Sequence, residues 1–364
     1  MVDNKQVTSK TIQELTVESE KKKYRKIIAK RVIFIITSAV ALFVLAGIAL
    51  ALGSADITFI EAYSAIFARA LPNLFHTSTL ADTVVWTLRL PRILLTIFAG
   101  AVLAIGGCTT QVILRNPIAT PYTLGVSAGA GLGAAIGIIL GTGLVNGEFM
   151  IIGNAFVFSL IPLTVILLLV KRKNASPETM ILAGIAMVYI FNACTTILQY
   201  FAETNAVSAT VFWIVGDLSK ATWYQLPYVL VVLIAGLAIN LWLAWDINAM
   251  KMGDDTAKSL GVEVDRVRKI SLIISCLITA TVVAFTGAIG FVCLVAPHVC
   301  RAFIGHNQRA LIISSALVGS ILLLIADIVA RQLISPIILP VGAITAFLGG
   351  PLLLYLLIKR KTNR

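Results

Sequence analysis

Long apolar runs dominate this sequence, and the solvent they require limits what the chain can fold into. A helix needs about 20 predominantly apolar residues to cross a bilayer. Residues 93–114 and 150–170 meet that length without a single charge. Of 364 residues, 59% are hydrophobic and only 13% charged, against about 25% charged in an ordinary soluble domain. A β-barrel would show alternating strands of about ten residues, and no such alternation is present. The chain reads as an all-α polytopic membrane protein.

The net charge of +12 could suggest a nucleic-acid partner, but its placement argues against one. Most of the excess sits in short segments beside apolar runs, as in cytoplasmic loops. Cys108, Cys194, Cys276, Cys293 and Cys300 fall within or at the edges of apolar segments, with no C-x-x-C pair. Neither a disulfide framework nor a metal site is indicated. Residues 1–31 are polar and include Lys21, Lys22, Lys23, Arg25, Lys26, Lys30 and Arg31. That is too long and too charged for the head of a cleaved signal peptide, so the first apolar run is expected to be a retained span behind a cytoplasmic tail.

Hydropathy places spans at 32–52, 93–114, 124–140, 150–170 and 181–201. A second set follows at 223–245, 270–290, 292–303, 311–325 and 341–358. The eighth is short and interrupted by Pro297, yet charge argues for keeping it. Both termini are basic ("KKKYRK" and "KRKTNR"), so both belong in the cytoplasm, and that requires an even number of crossings. With ten spans, only Arg69, Arg89, Arg92, Lys220 and Arg331 of the 29 Lys and Arg lie outside, a steep positive-inside asymmetry. The expected organisation is a tail over 1–31, a ten-helix domain over 32–358 and a basic C-terminus over 359–364, in a cell membrane.

No Asp or Glu lies near the middle of any expected span. A charge there is costly and normally marks an ion or proton path, so an ion-coupled secondary transporter is the weaker alternative. No G-x-x-x-x-G-K-[ST] occurs either, so no nucleotide-binding P-loop is present. A separate ATPase subunit, binding the ATP and Mg²⁺, would reconcile the two absences; no cofactor is expected in this chain.

Gly125, Gly129, Gly133, Gly137 and Gly141 recur every fourth residue. On a helix they form one ridge without side chains, which lets helix backbones approach closely in lipid. The same stretch contains Gly125-Val126-Ser127-Ala128-Gly129, a match to the G-x-S-x-G nucleophile elbow. An elbow needs a preceding strand plus His and acid partners. The chain has only His76, His298 and His306, and no strand signal precedes Ser127. Ser127 is expected to pack and not to react. His298, near Cys293 and Cys300, reads as a helix-end histidine beside a proline kink.

Several segments then line up with one family. "LRLPRILLTIFAGAVLAIGG", "RNPIATPYTLGVSAGAGLGA", "WIVGDLS", "MGDDTAKSLGV", "GAIGFVCLVAPHVCR", "LIADIVAR" and "LPVGAITAFLGGPLLLYLL" resemble, in order, the permeases of iron-chelate, haem and cobalamin ABC importers. The resemblance implies a ten-helix permease with inverted repeats, paired with an identical or sister permease in the lipid membrane. It also implies two cytoplasmic ATPases and an extracytoplasmic substrate-binding protein. The cargo it favours is a ferric siderophore or related iron chelate, with haem or cobalamin as the alternative.

By the same resemblance, Arg89, Arg92 and Arg331 meet acidic residues of the binding protein. Guanidinium forks suit bidentate carboxylate pairing. The loop over about 246–269 corresponds to the family's ATPase-coupling helix, with Gly253, Asp254, Asp255, Ala257, Leu260 and Gly261 as its contact residues. Asp254 or Asp255 is expected as its N-cap. Ala257, Leu260 and Gly261 are expected as a small apolar face, with Gly261 ending the helix. Pro91 suits the first turn of the second span, and Asp327 stands four residues before Arg331, in pairing position.

Overall fold

The computed structural model describes residues 3–53, 57–75, 77–173, 176–335 and 337–362. His76 and the extreme ends of both termini lie outside them. The helices in chain order are α1 Asp3–Ala51, α2 Phe59–Ala70, α3 Thr79–Thr83, α4 Leu90–Ile113, α5 Val126–Leu140, α6 Met150–Lys173, α7 Pro177–Tyr200 and α8 Thr204–Val215. They continue with α9 Leu226–Trp242, α10 Ala244–Met250, α11 Asp254–Ser259, α12 Val264–Thr286, α13 Val292–Ile304, α14 Gln308–Gln332 and α15 Val341–Thr362. Among the described residues no strand forms beyond the isolated bridge Ile334–Ile337. Among the described residues, six helices are long and apolar enough to cross a membrane, or seven if α9 and α10 count as one bent span.

Each stretch expected to cross the membrane contains a helix, but the bounds differ for physical reasons. The second span starts at Thr79, because α3 runs through a π-helical segment, Val84–Arg89, directly into α4. Pro91 therefore sits inside a continuous helix and not at its first turn. Its missing N–H and ring clash disturb the preceding turn, and the widened register absorbs the mismatch: Leu90 N–H bonds to Val85 C=O, five residues back. The expected 223–245 span begins at Leu226 and breaks after Trp242, with α10 turned 54° from α9. α14 runs to Gln332, past the expected 325, which brings Asp327 and Arg331 into the helix. Sequence patterning also passed over two short helices, the amphipathic α2 and the apolar α8.

α4 forms the centre, packed by α9, α12, α13 and α14, and 83% of its apolar window is buried. Close approach depends on glycine. A methyl group at Gly100 would stand 2.8 Å from the Gly319 carbonyl carbon, and Ser320 Oγ of α14 reaches Ile97 C=O of α4 at 2.7 Å. α1 is peripheral: only 11% of its apolar window is buried.

The glycine ladder divides by position. Gly125 (φ 95°) and Gly141 (φ 62°) cap α5 in left-handed conformations. Gly129 and Gly133 face the backbone of α6 at Phe158 and Asn154. Gly137 meets Ile151 and the Asn154 side chain, which can yield. Gly129→Ala and Gly133→Ala are each expected to cost about 1–3 kcal/mol by overpacking, whereas Gly137→Ala is near neutral. Thermal unfolding in detergent, comparing the three variants, checks this order.

Candidate functional site

Two clusters of charge stand at opposite ends of the bundle. The first brings together Arg89, Arg92, Asp327 and Arg331. α1 ends at Ala51, so its last carbonyls have no partner within the helix. Arg89 Nη1 donates to Leu50 C=O at 2.8 Å and to Ala51 C=O at 2.9 Å. Arg331 Nη1 donates to Leu52 C=O at 2.8 Å. The negative end of the α1 dipole favours these cations. Gly53 lets the Arg89 guanidinium lie flat over the turn: a methyl group there would meet Nη2 at 2.6 Å. Asp327, wholly buried on α14, receives Arg92 Nε at 2.8 Å and pairs with Arg331 Nε at 3.0 Å.

Resemblance placed these arginines outward, toward a partner's carboxylates. The structure does bring all three together, but turns them inward. They are 5–7% exposed; Arg92 and Arg331 share a carboxylate of this chain, while Arg89 holds the α1 carbonyls.

The second cluster surrounds α11. Asp254 Oδ1 and Oδ2 accept from Arg268 Nη2 at 2.9 and 2.8 Å, and Asp254 also pairs with Arg115. Arg115 is one of two non-glycine residues with positive φ among the described residues (48°), where α4 ends. One carboxylate thus ties α11 to both α4 and α12. Asp254 and Asp255 are the first two residues of α11, so neither is the expected N-cap. Gly253 (φ 118°) occupies that position, and no side chain caps the turn.

The far end of α11 closes as the glycine signal indicated. Gly261 (φ 83°) donates to Lys258 C=O at 2.9 Å, and Val262 N–H to Ala257 C=O at 3.0 Å, the paired bonds of a Schellman turn. Ala257 does not share an outward face with Leu260. It is fully buried with Val262 and Val264, while Leu260 is 63% exposed beside exposed Gly261 and Asp255. The outward surface of α11 is therefore one leucine among polar groups. Sequence reading missed Arg115 and Arg268 as partners of Asp254; the only local signal was the Arg115-Asn116-Pro117 helix end.

Lys251, between α10 and α11, donates to His306 C=O. Burial, reinforced by Arg301, pushes its ammonium down to about 8 from 10.5. Ser127 lies in the first turn of α5, and the residues before it form turns, not a strand. His298 Nδ1 contacts Leu294 C=O at 2.8 Å within α13.

A bundle of apolar helices with charge confined to its two ends is the build of a multi-pass membrane protein. Comparison with known proteins agrees: the FecCD transport family matches residues 39–359, and the chain belongs to that family. An ABC transporter permease protein of Methanocaldococcus jannaschii is 42% identical over 346 residues, covering 93% of this chain and 97% of that protein. The cobalamin import system permease protein BtuC of Halobacterium salinarum is 37% identical over 297 residues, 81% of this chain and 79% of that one. A solved metal-chelate type ABC transporter in an inward-facing conformation superposes with TM-score 0.79 at 28% identity, covering 89% of this chain and 98% of that chain. The protein is a multi-pass membrane permease of the prokaryotic ABC importer class, with a transport role.

Two outcomes follow from the clusters. Asp327→Asn leaves buried guanidiniums without their shared carboxylate, and breaking such a pair costs about 3–5 kcal/mol; unfolding in detergent should show a loss far larger than that of Asp82→Asn at the exposed Arg69 pair. Lys251 binds a proton less tightly folded than unfolded, so between pH 8 and 10.5 the unfolded state carries more protons and stability rises with pH. In Lys251→Gln that rise is reduced, which a pH series of unfolding midpoints would measure.

Proposed function

We propose that this chain crosses the membrane ten times, with both termini in the cytoplasm, and forms one wall of a path for an iron chelate. A ferric siderophore is the preferred cargo, with haem or cobalamin as the alternative. A second permease, identical or homologous, forms the other wall. Two cytoplasmic ATPases supply the energy, and an extracytoplasmic binding protein delivers the cargo. Residues 1–31 and 359–364 are cytoplasmic extensions of the domain over 32–358.

The observation that carries this reading is the construction of α11. It is short, closed by a Schellman turn, and held to α4 and α12 through Asp254, so a push on it reaches two spanning helices as one body. Leu260 stands outward, with Gly253, Asp255 and Gly261 leaving room for an ATPase cleft around it. Ala257 anchors the helix from beneath.

On the outer side, the three arginines exceed the one aspartate by two positive charges. That excess attracts acidic lobes of a binding protein, even though Arg89, Arg92 and Arg331 hold their own chain together. The short helices α5 and α13 support inverted repeats. They are about 22 and 20 Å long, less than the roughly 30 Å of hydrocarbon. Each begins at a left-handed residue, Gly125 and Phe291, and Tyr122 before α5 bonds Ile289 C=O before α13 at 2.9 Å.

The test is uptake of labelled siderophore, haem and cobalamin into vesicles holding both permeases and ATPases, with binding protein and ATP on their proper sides. Uptake should require ATP and fall to background in Leu260→Asp, while that variant's unfolding midpoint stays within a degree or two. Uptake by the permease alone, driven by an ion gradient, would overturn the reading.

A further inference from the structure

α2 carries a largely exposed apolar stripe, in which Phe67 packs on Phe75 at 5.4 Å between ring centroids and the Tyr63 hydroxyl approaches Gly47. Ile60, Tyr63 and Phe67 lie on one helical face, and Leu71 and Leu74 extend it past the helix end. All are exposed, Ile60 by 78% and Leu74 by 73%. The opposite face is buried through Ala62 and Ala65, and Trp86 Nε1 donates to Ala65 C=O at 2.9 Å.

The charges of α2 are turned away from the stripe. Glu61 accepts from Thr58 N–H at 3.0 Å and Thr58 Oγ1 at 2.8 Å, closing a capping box. Those bonds hold its carboxyl below its usual pKa, so it stays charged at the helix start. Arg69 lies 4.2 Å over the Trp86 ring and pairs with Asp82 at 3.2 Å.

Depth and continuity identify the occupant. α2 folds back along α1, so that a methyl group at Gly47 would run into the Tyr63 hydroxyl. Gly47 lies about 6 Å inside the end of α1. Phe43 and Val44, one turn below it on the same face, are exposed. The α2 stripe therefore continues the unpacked, apolar side of the most peripheral span. An uncharged helix face that reaches the hydrocarbon boundary and carries a tyrosine suits the membrane interface.

We propose that α2 lies in the outer-leaflet interface, with Ile60, Tyr63, Phe67 and Leu71 in lipid. It thereby braces the α1 end that Arg89 and Arg331 hold. An extracytoplasmic protein or a second copy of this chain are the rival occupants.

Depth-resolved spin labelling of the full chain in lipid vesicles tests this. Cys194→Ser removes the one native cysteine that is not buried. Nitroxides are then placed at Ile60→Cys and Phe67→Cys, with exposed Lys220→Cys as the aqueous reference. Collision with oxygen should rise, and collision with a water-soluble nickel chelate should fall several-fold, at 60 and 67 relative to 220. Nickel collision equal to that at 220 overturns the proposal, as does low collision with both reagents, which means protein covers the stripe. Two independent label sites guard against local disturbance by either substitution, and neither readout depends on transport or on the ATPase.

Discussion

A helix end buried away from water must find its hydrogen-bond partners within the protein, because neither hydrocarbon nor solvent supplies them. Much of the described architecture answers that requirement. The last carbonyls of α1 take Arg89 and Arg331. The end of α12 receives Asp217 N–H on Thr286 C=O at 2.9 Å, and the turn before α13 receives the Tyr122 hydroxyl. These groups are drawn from distant parts of the chain, so closing one helix end also fixes where another segment lies. Asp327 extends the principle to charge. Two buried guanidiniums need a counter-ion, and one carboxylate on α14 serves α4 and its own helix together.

The opposite end of the bundle uses the same chemistry at lower burial. Asp254 is part exposed, yet it gathers Arg115 from the end of α4 and Arg268 from α12. A helix of six residues has little stability alone. Here its two ends and one side are held by a left-handed glycine, a Schellman turn and a double salt bridge. The result is a small element held firmly to the central helix of the bundle.

Glycine placement explains how α4 can be central at all. Gly100 against Gly319, and Gly107 against the Cys293 backbone, let α14 and α13 approach it more closely than any side chain would permit. In lipid such contact is a main source of helix association. The ladder on α5 was visible as a spacing; Gly100–Gly319 was not, since its two halves lie in different spans and neither has a regular repeat.

Membrane class and the approximate positions of the spans were determined by sequence alone, because crossing a bilayer is a local demand on one stretch of residues. The Schellman close at Gly261 and the Asp327–Arg331 pair were legible for the same reason, each resting on residues within one or two turns. Tertiary structure decided the rest. Pairing Arg92 with Asp327 joins positions 235 residues apart, and no spacing announces it. Ala257 turns inward because Val262 and Val264 cover it, and α2 folds back because Gly47 leaves room for Tyr63. Which helix ends meet is a property of the packed bundle, and only packing could assign the partners.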